Sequence, residues 1–379
     1  MTSPGDWHSP VTCDPDAPVV LRFAALGDVV LLTVLLAALH ERYGRPVHLL
    51  SSGAWTPVLL GSDPAIGELR LVTSRRAPYW LTPSQWSARR WLAAHRGPVY
   101  LCDPDPHAAR LLERASIPAG RVVRAWDHHP AQPIHWADWW LQIAALDAPQ
   151  ARGPQRRIVT LAQPRLRVPD GWQRDTELWL QQQGLAGRPL VLVQPGHKKT
   201  HRRGRLATAQ HDKHWPAERW GVVIRGMLAA VPGAAVLVCG SAREAALAQQ
   251  VVDEAGPPSH GGVVVNLARR QFTLPRLVTL TARAHSMVSV DTGPAHVAAA
   301  MDCPLVVLFG SFGWARWQPR APHSSVLALG PELPTPGARV DTLQPQQVLE
   351  AWRRLLPRAQ AGATESAWQT HGSQSDRSR

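Results

Sequence analysis

Two carboxylates, one short turn and three lysines are the groups in this 379-residue chain whose placement suggests chemistry. Asp28 directly follows Gly27 after Phe23-Ala24-Ala25-Leu26, where an apolar run gives way to a helix. A carboxylate so placed can act as a general base, and it can equally cap the helix. Asp291-Thr292-Gly293-Pro294-Ala295-His296 reads as a strand-to-helix turn. The free N–H groups and dipole of such a helix start attract an anion, and Thr292 and His296 add donors. The plainer reading is an N-cap with a surface histidine. Gly240-Ser241-Ala242-Arg243-Glu244 repeats the arrangement one unit earlier. Glu244 is there either an acceptor for a ribose or base, or a solvated side chain.

The only lysines, Lys198, Lys199 and Lys213, fall in one loop between a strand and a helix. A compact ammonium suits a diphosphate met as a point charge, which makes Lys213 the candidate for neutralising a leaving group. The loop from Pro195 to Asp212 also carries Arg202, Arg203 and Arg205. It is either a flap that closes over an anionic ligand or a solvated basic insertion. In the first half, Arg75, Arg76, Trp80, Trp86, Arg89, Arg90, Trp91 and Arg96 mix cations with large aromatics. Gly27, Arg75, Arg76, Arg89 and Arg90 are thus the candidates for holding a phosphorylated, partly apolar acceptor. With 17 tryptophans in the chain, core packing accounts for several of the aromatics.

Other chemistries lack their residues. His197 and His201, four apart, and His211 and His214, three apart, are joined by no carboxylate or thiolate that completes a convincing set, so no metal is expected. There is no GxGxxG after a strand and no GxxxxGK[ST], which removes the dinucleotide fingerprint and the Walker loop. Four scattered cysteines give neither a disulfide framework nor a CxxC site. A net charge of +13 favours anionic partners: phosphates, nucleic acid or lipid headgroups. The Pro-, Asp- and Ser-rich start lacks the order of a signal peptide, and the longest apolar stretch, around Val29 to Leu39, is too short to span a bilayer. A cytoplasmic protein with at most peripheral membrane contact is expected.

The elements that must position these groups alternate. Strands are predicted at Val19 to Phe23, Val47 to Leu50 and Val99 to Cys102, with helices from Asp28 to Tyr43, Pro83 to His95, Asp105 to Ala115 and His135 to Leu146. After a Pro- and Arg-rich stretch the rhythm resumes with strands at Leu190 to Gln194, Ala235 to Cys239, Val263 to Asn266, Met287 to Val290 and Leu305 to Phe309. Helices are predicted between these strands, and a last one runs from Pro345 to Leu356. Such alternation implies parallel sheets, hence an α/β chain of two doubly wound, Rossmann-like domains facing a central cleft. The expected division is a flexible start (1–18), a first domain (19–165), a second (166–342), a closing helix (343–358) and a disordered tail (359–379).

Taken in order, these segments resemble the heptosyltransferases of glycosyltransferase family 9, enzymes that build the inner core of bacterial lipopolysaccharide. The resemblance rests on VLRFAALGDVVLLTVLLAAL (Val20 to Leu39), VLVQPG (Val191 to Gly196), DKHWPAERW (Asp212 to Trp220), VLVCGSAREAALA (Val236 to Ala248) and SVDTGPAHVAAAMDCPLVVLFG (Ser289 to Gly310). It implies a GT-B fold, an ADP-heptose donor on the second domain, an anionic glycolipid acceptor (Kdo or heptose) on the first, inversion at the anomeric carbon, and no cofactor. By position, Asp28 resembles the family's base and Lys213 the lysine at the donor diphosphate. Glu244 resembles the acid near the ribose, Asp291 to His296 the phosphate-binding turn, and Thr208 a looser donor-site match. It also implies that the closing helix crosses back to brace the first domain. The DKHWP spelling leans toward the enzyme that adds the first heptose to Kdo. Against that, CDPDPHAARLLER (Cys102 to Arg114) lacks an expected Gln-Gly stretch and the loop from His197 to His211 is long. A relative using another nucleotide sugar, a non-catalytic nucleotide-binding relative and a nucleic-acid binder stand as alternatives, the last without a recognisable module.

Overall fold

The computed structural model describes residues 14–74, 79–150, 155–197, 201–202, 205–206, 211–269 and 272–355. The first unit runs β1 (Val19–Leu21), α1 (Leu26–Tyr43), β2 (Val47–Ser51), α2 (Trp55–Leu60), β3 (Ile66–Leu71), α3 (Pro83–Ala94), β4 (Val99–Leu101), α4 (Pro106–Arg114), β5 (Val122–Arg124) and α5 (Trp136–Ala145). Its strands form one parallel sheet in the order β3-β2-β1-β4-β5, with Val20 opposite Leu49 and Tyr100. Alternate side chains of β1 serve two cores, as the two-residue period of a strand demands. Val20 joins α1 and α5 on one face, and Val19 and Leu21 join α3 and α4 on the other.

The second unit runs α6 (Asp170–Gln182), β6 (Leu190–Gln194), a hairpin of β7 (His201–Arg202) and β8 (Arg205–Leu206), α7 (Ala217–Ala230), β9 (Ala235–Val238), α8 (Ala245–Ala255), β10 (Val263–Asn266), α9 (Leu274–Arg283), β11 (Ser286–Val290), α10 (Gly293–Ala300), β12 (Leu305–Leu308), β13 (Val326–Leu329) and α11 (Pro345–Arg353). Six strands make a second parallel sheet, β10-β9-β6-β11-β12-β13. One face is covered by α7, α8 and α11, the other by α6, α9 and α10. The expected α/β fold of two doubly wound domains is therefore present. The closing helix departs from expectation. It packs on α7 and beside β12 and β13, not across the first unit. Val348, Leu349 and Trp352 lie in the second unit's core, and Trp352 donates its indole N–H to Ser286 at 2.8 Å, so its apolar face is already spent there.

The two units share a core. Helix α1 is apolar on nearly every side, a pattern that requires neighbours all round. It packs on the first sheet, on α5 and on α10 of the second unit, so that Val297, Ala300 and Met301 enter the same cluster as Val30 and Leu35. Gly44 ends it in the left-handed region at φ 61°, with its N–H on the His40 carbonyl. The segment 155–169 runs back along α1: Thr160 and Val159 donate to Glu41 and the Arg165 N–H to Thr33. Also across the interface, Arg320 grips Asp138 with both terminal nitrogens, at 2.8 and 2.6 Å.

His135 belongs to this second contact. Its Nδ1 accepts the Ala137 N–H at 3.1 Å and its Nε2 donates to the Gln318 carbonyl at 2.7 Å, which needs the neutral ring. Burial, helped by the charge of Arg320, pushes its pKa down from 6.5 to about 4. Between those values the unfolded chain binds a proton that the folded chain refuses, so stability is lost as pH falls through that window. The melting midpoint of the wild type should drop between pH 6.5 and 4. His135→Asn, less stable at neutral pH by about 1 kcal/mol because Gln318 loses its donor, should drop less over the same range. Parallel profiles would assign the acid sensitivity elsewhere.

Candidate active site

Each sheet reverses its strand order once, between β1 and β4 and between β6 and β11, and doubly wound sheets hold ligands outside the carboxyl ends of strands at such reversals. Asp28 stands beyond β1, Gly196 beyond β6, and Asp291 to Gly293 beyond β11. Asp28 is the third residue of α1. Its Oδ2 accepts the Ala25 N–H at 3.1 Å, and its Oδ1 lies 3.6 Å from a terminal nitrogen of Arg22. Capping thus occupies one oxygen and leaves the other beside a guanidinium, with about a quarter of the side chain in solvent.

Sequence reasoning passed over Arg22. Its side chain is buried, donates to the Cys102 carbonyl at 3.1 Å and lies 5.9 Å from the centre of the Trp140 ring. Its Nε has no hydrogen-bond partner among the described residues. The signal available was its place in an otherwise wholly apolar run, since a buried charge must find a partner.

Gly27 and Gly293 let two helix starts approach. A Cβ on Gly27 would stand 2.6 Å from Cδ2 of His296, and one on Gly293 would stand 2.8 Å from Cβ of Leu26. His296 is accordingly no surface histidine; it is 6% exposed. Burial lowers its pKa, although the carboxylates of Asp291 and Asp28 pull the other way, so the imidazole is neutral at physiological pH. Its Nδ1 has no hydrogen-bond partner among the described residues.

Lys213 reaches the same place from the loop before α7. Its Nζ donates to Asp291 Oδ2 at 2.6 Å and to the Asp291 carbonyl at 3.0 Å. Asp212 fixes that loop, its Oδ2 accepting the N–H and hydroxyl of Ser311 at 2.9 and 2.5 Å and its carbonyl the Val340 N–H at 2.7 Å. Burial raises the Asp212 pKa, but the Ser311 hydrogen bonds and the neighbouring His211 and Lys213 outweigh it and hold the carboxyl below its usual range. Thr292 caps α10 in an extended conformation without a side-chain capping bond.

Glu244 lies in a single 3₁₀ turn ahead of α8, half-buried rather than solvated. Its Oε2 accepts the Ser241 N–H and hydroxyl at 2.8 and 2.7 Å. Its Oε1 is shut in against Gly196 and has no hydrogen-bond partner among the described residues. At Gly240 a Cβ would stand 3.2 Å from Cβ of Glu244, so the glycines that follow β6 and β9 are what admit this carboxylate.

The structure thus gathers Gly27, Asp28, Lys213, Asp291, Thr292, Gly293 and His296 at the junction of the two units, with Gly240 and Glu244 along the second sheet's edge. Thr208, Arg75 and Arg76 lie outside the described residues, as do Lys198, Lys199 and Arg203. Arg89 and Arg90 sit on α3, across the first sheet from α1. Trp91 beside them is core, while Trp86 is exposed.

Two doubly wound parallel sheets, with Asp28 on one wall of their junction and the Asp291 to Gly293 turn on the other, define a protein of GT-B architecture. A glycosyl transferase family 9 structure from Veillonella parvula superposes with a TM-score of 0.68 at 19% identity, over 90% of this chain and 97% of that one. The ADP-heptose lps heptosyltransferase II of Escherichia coli does so with a TM-score of 0.64 at 21% identity, over 89% and 97%. Residues 173–343 match the model of glycosyltransferase family 9 (heptosyltransferase). It is 30% identical over 131 residues to lipopolysaccharide heptosyltransferase 1 of Escherichia coli strain K12, a match spanning 32% of this chain and 38% of that relative's length.

The contact of Gly27 with His296 is open to a direct check. Alanine is favoured over glycine inside a helix by about 1 kcal/mol. Overpacking a tight site costs about 1 to 3 kcal/mol. Gly27→Ala should therefore lower the thermal midpoint. An unchanged or higher midpoint would mean that the His296 ring gives way.

Proposed function

We propose that the protein is an inverting, metal-independent glycosyltransferase that moves a heptose from ADP-heptose to the Kdo or heptose of a lipopolysaccharide precursor. The observation that carries this reading is the meeting of Asp28, from the first unit, with His296, Asp291 and Lys213 of the second. The match of residues 173–343 to the family model and the likeness in fold to an ADP-heptose enzyme support this choice of donor. In the reaction an acceptor hydroxyl oxygen bonds to the anomeric carbon as the bond to the diphosphate oxygen breaks, and Asp28 takes the hydroxyl proton. The negative charge gathers on the departing ADP, where Lys213 and the N–H groups at the start of α10 offset it. Asp291 holds the Lys213 ammonium in the meantime, so the donor diphosphate competes with a carboxylate for Nζ. Glu244, held at the carboxyl edge of β9 by its bonds from Ser241, is the acid assigned to the donor ribose. A glycolipid acceptor sets the work at the cytoplasmic face of the inner membrane, and the net charge of +13 suits its anionic headgroups. None of the described helices is long and apolar enough to cross a membrane.

Titration with ADP-heptose, ADP, UDP and GDP without added metal tests the donor; preference for UDP or GDP would redirect it to another sugar nucleotide. Asp28→Asn should cut transfer by about 10²- to 10⁴-fold while leaving ADP binding nearly intact. Wild-type turnover in that variant would remove Asp28 as the base. Lys213→Ala should weaken ADP binding and slow turnover together, and unchanged kinetics at subsaturating donor would take Lys213 out of the site.

A further inference from the structure

Strand order sets the loops of the second sheet in a line along its carboxyl edge. Glu244 follows β9, Gly196 follows β6, Asp291 follows β11 and Gly310-Ser311-Phe312-Gly313 follows β12. With the nucleoside at Glu244 and the diphosphate at Lys213 and Asp291, the next position in the line lies beyond the diphosphate. Phe312 stands there. Its side chain is 60% exposed, and the Lys213 ammonium lies 5.9 Å from its ring centre.

An exposed phenylalanine alone carries little, but this one is held still. Asp212 fixes Ser311 through its N–H and hydroxyl, and the Ser311 carbonyl accepts the Thr335 N–H at 2.8 Å. The Trp314 N–H donates to the Pro331 carbonyl at 3.1 Å. Gly313 turns the chain at φ 69°, where a Cβ would come within 2.5 Å of the Leu333 backbone. The backbone on both sides of the ring is therefore fixed while the ring itself faces water beside the cation that anchors the donor. An aromatic face carries partial negative charge, and the C–H face of a pyranose is apolar and weakly positive, so the two stack.

Resting on the transferase reading above, we infer that Phe312 is the platform for the donor's sugar ring and so a specificity-determining residue. Isothermal titration of the wild type, Phe312→Ala and Phe312→Tyr with ADP and with ADP-heptose separates the possibilities. Phe312→Ala should weaken ADP-heptose about three- to ten-fold and change ADP by less than about two-fold, and Phe312→Tyr should restore the sugar nucleotide. Equal weakening of both ligands would overturn the inference, because the ring would then serve the nucleotide or the loop. So would an unchanged affinity for ADP-heptose in Phe312→Ala. A wild type that binds neither ligand would defeat the transferase reading and this inference with it, whereas one that binds ADP while the variants discriminate nothing defeats this inference alone.

Discussion

The contact between the first turn of α1 and the first turn of α10 fixes everything else at the junction. Two glycines make it possible, Gly27 against the His296 ring and Gly293 against Leu26. Because α1 is gripped by its own sheet, by α5 and by α10, its N-terminal turn has one address, and Asp28 inherits it. The polar contacts of Arg320 with Asp138 and of His135 with Gln318 add further ties across the same interface. A site assembled from two units is in this way as well positioned as one built within a single sheet.

Charge in the site is arranged before any ligand arrives. Arg22 lies beside Asp28, Lys213 is bonded to Asp291, and His296 between them is kept neutral by burial. A neutral imidazole there adds no net charge between the Asp28 carboxylate and the Lys213–Asp291 pair. Buried pairs of this kind contribute little net stability, since desolvation offsets their attraction. Their value is in holding side chains in one geometry.

Much of this was legible in the sequence. Residue periodicity and the Gly and Pro that bound it gave β6 and β10 to the residue, and α1, α4 and α5 to within two residues at each end. What was missed lies at edges and in weak patterns. Strand β3, IGELRL, mixes Gly, Glu and Arg because it is an edge strand with one poorly covered side, and β5 and β13 are edges of three and four residues. Helix α6, DGWQRDTELWLQQ, is mostly polar and follows a Pro-rich stretch, so its buried stripe of Thr176, Trp179 and Leu180 gave no predicted element. The closing helix was misplaced because its apolar face does not say which sheet it covers. At the site, types and spacing identified groups that follow strands, whereas the surroundings of Arg22 and Phe312 include partners about 80 and 100 residues away in the chain.

The core that α1 shares with α10 also governs how the molecule comes apart. Val297, Ala300 and Met301 are buried by residues of the other unit, so pulling the two sheets away from each other bares an oily seam instead of a wetted domain boundary. The halves are consequently bound into one cooperative melting unit, and neither sheet, expressed without the other, would be spared a sticky flank.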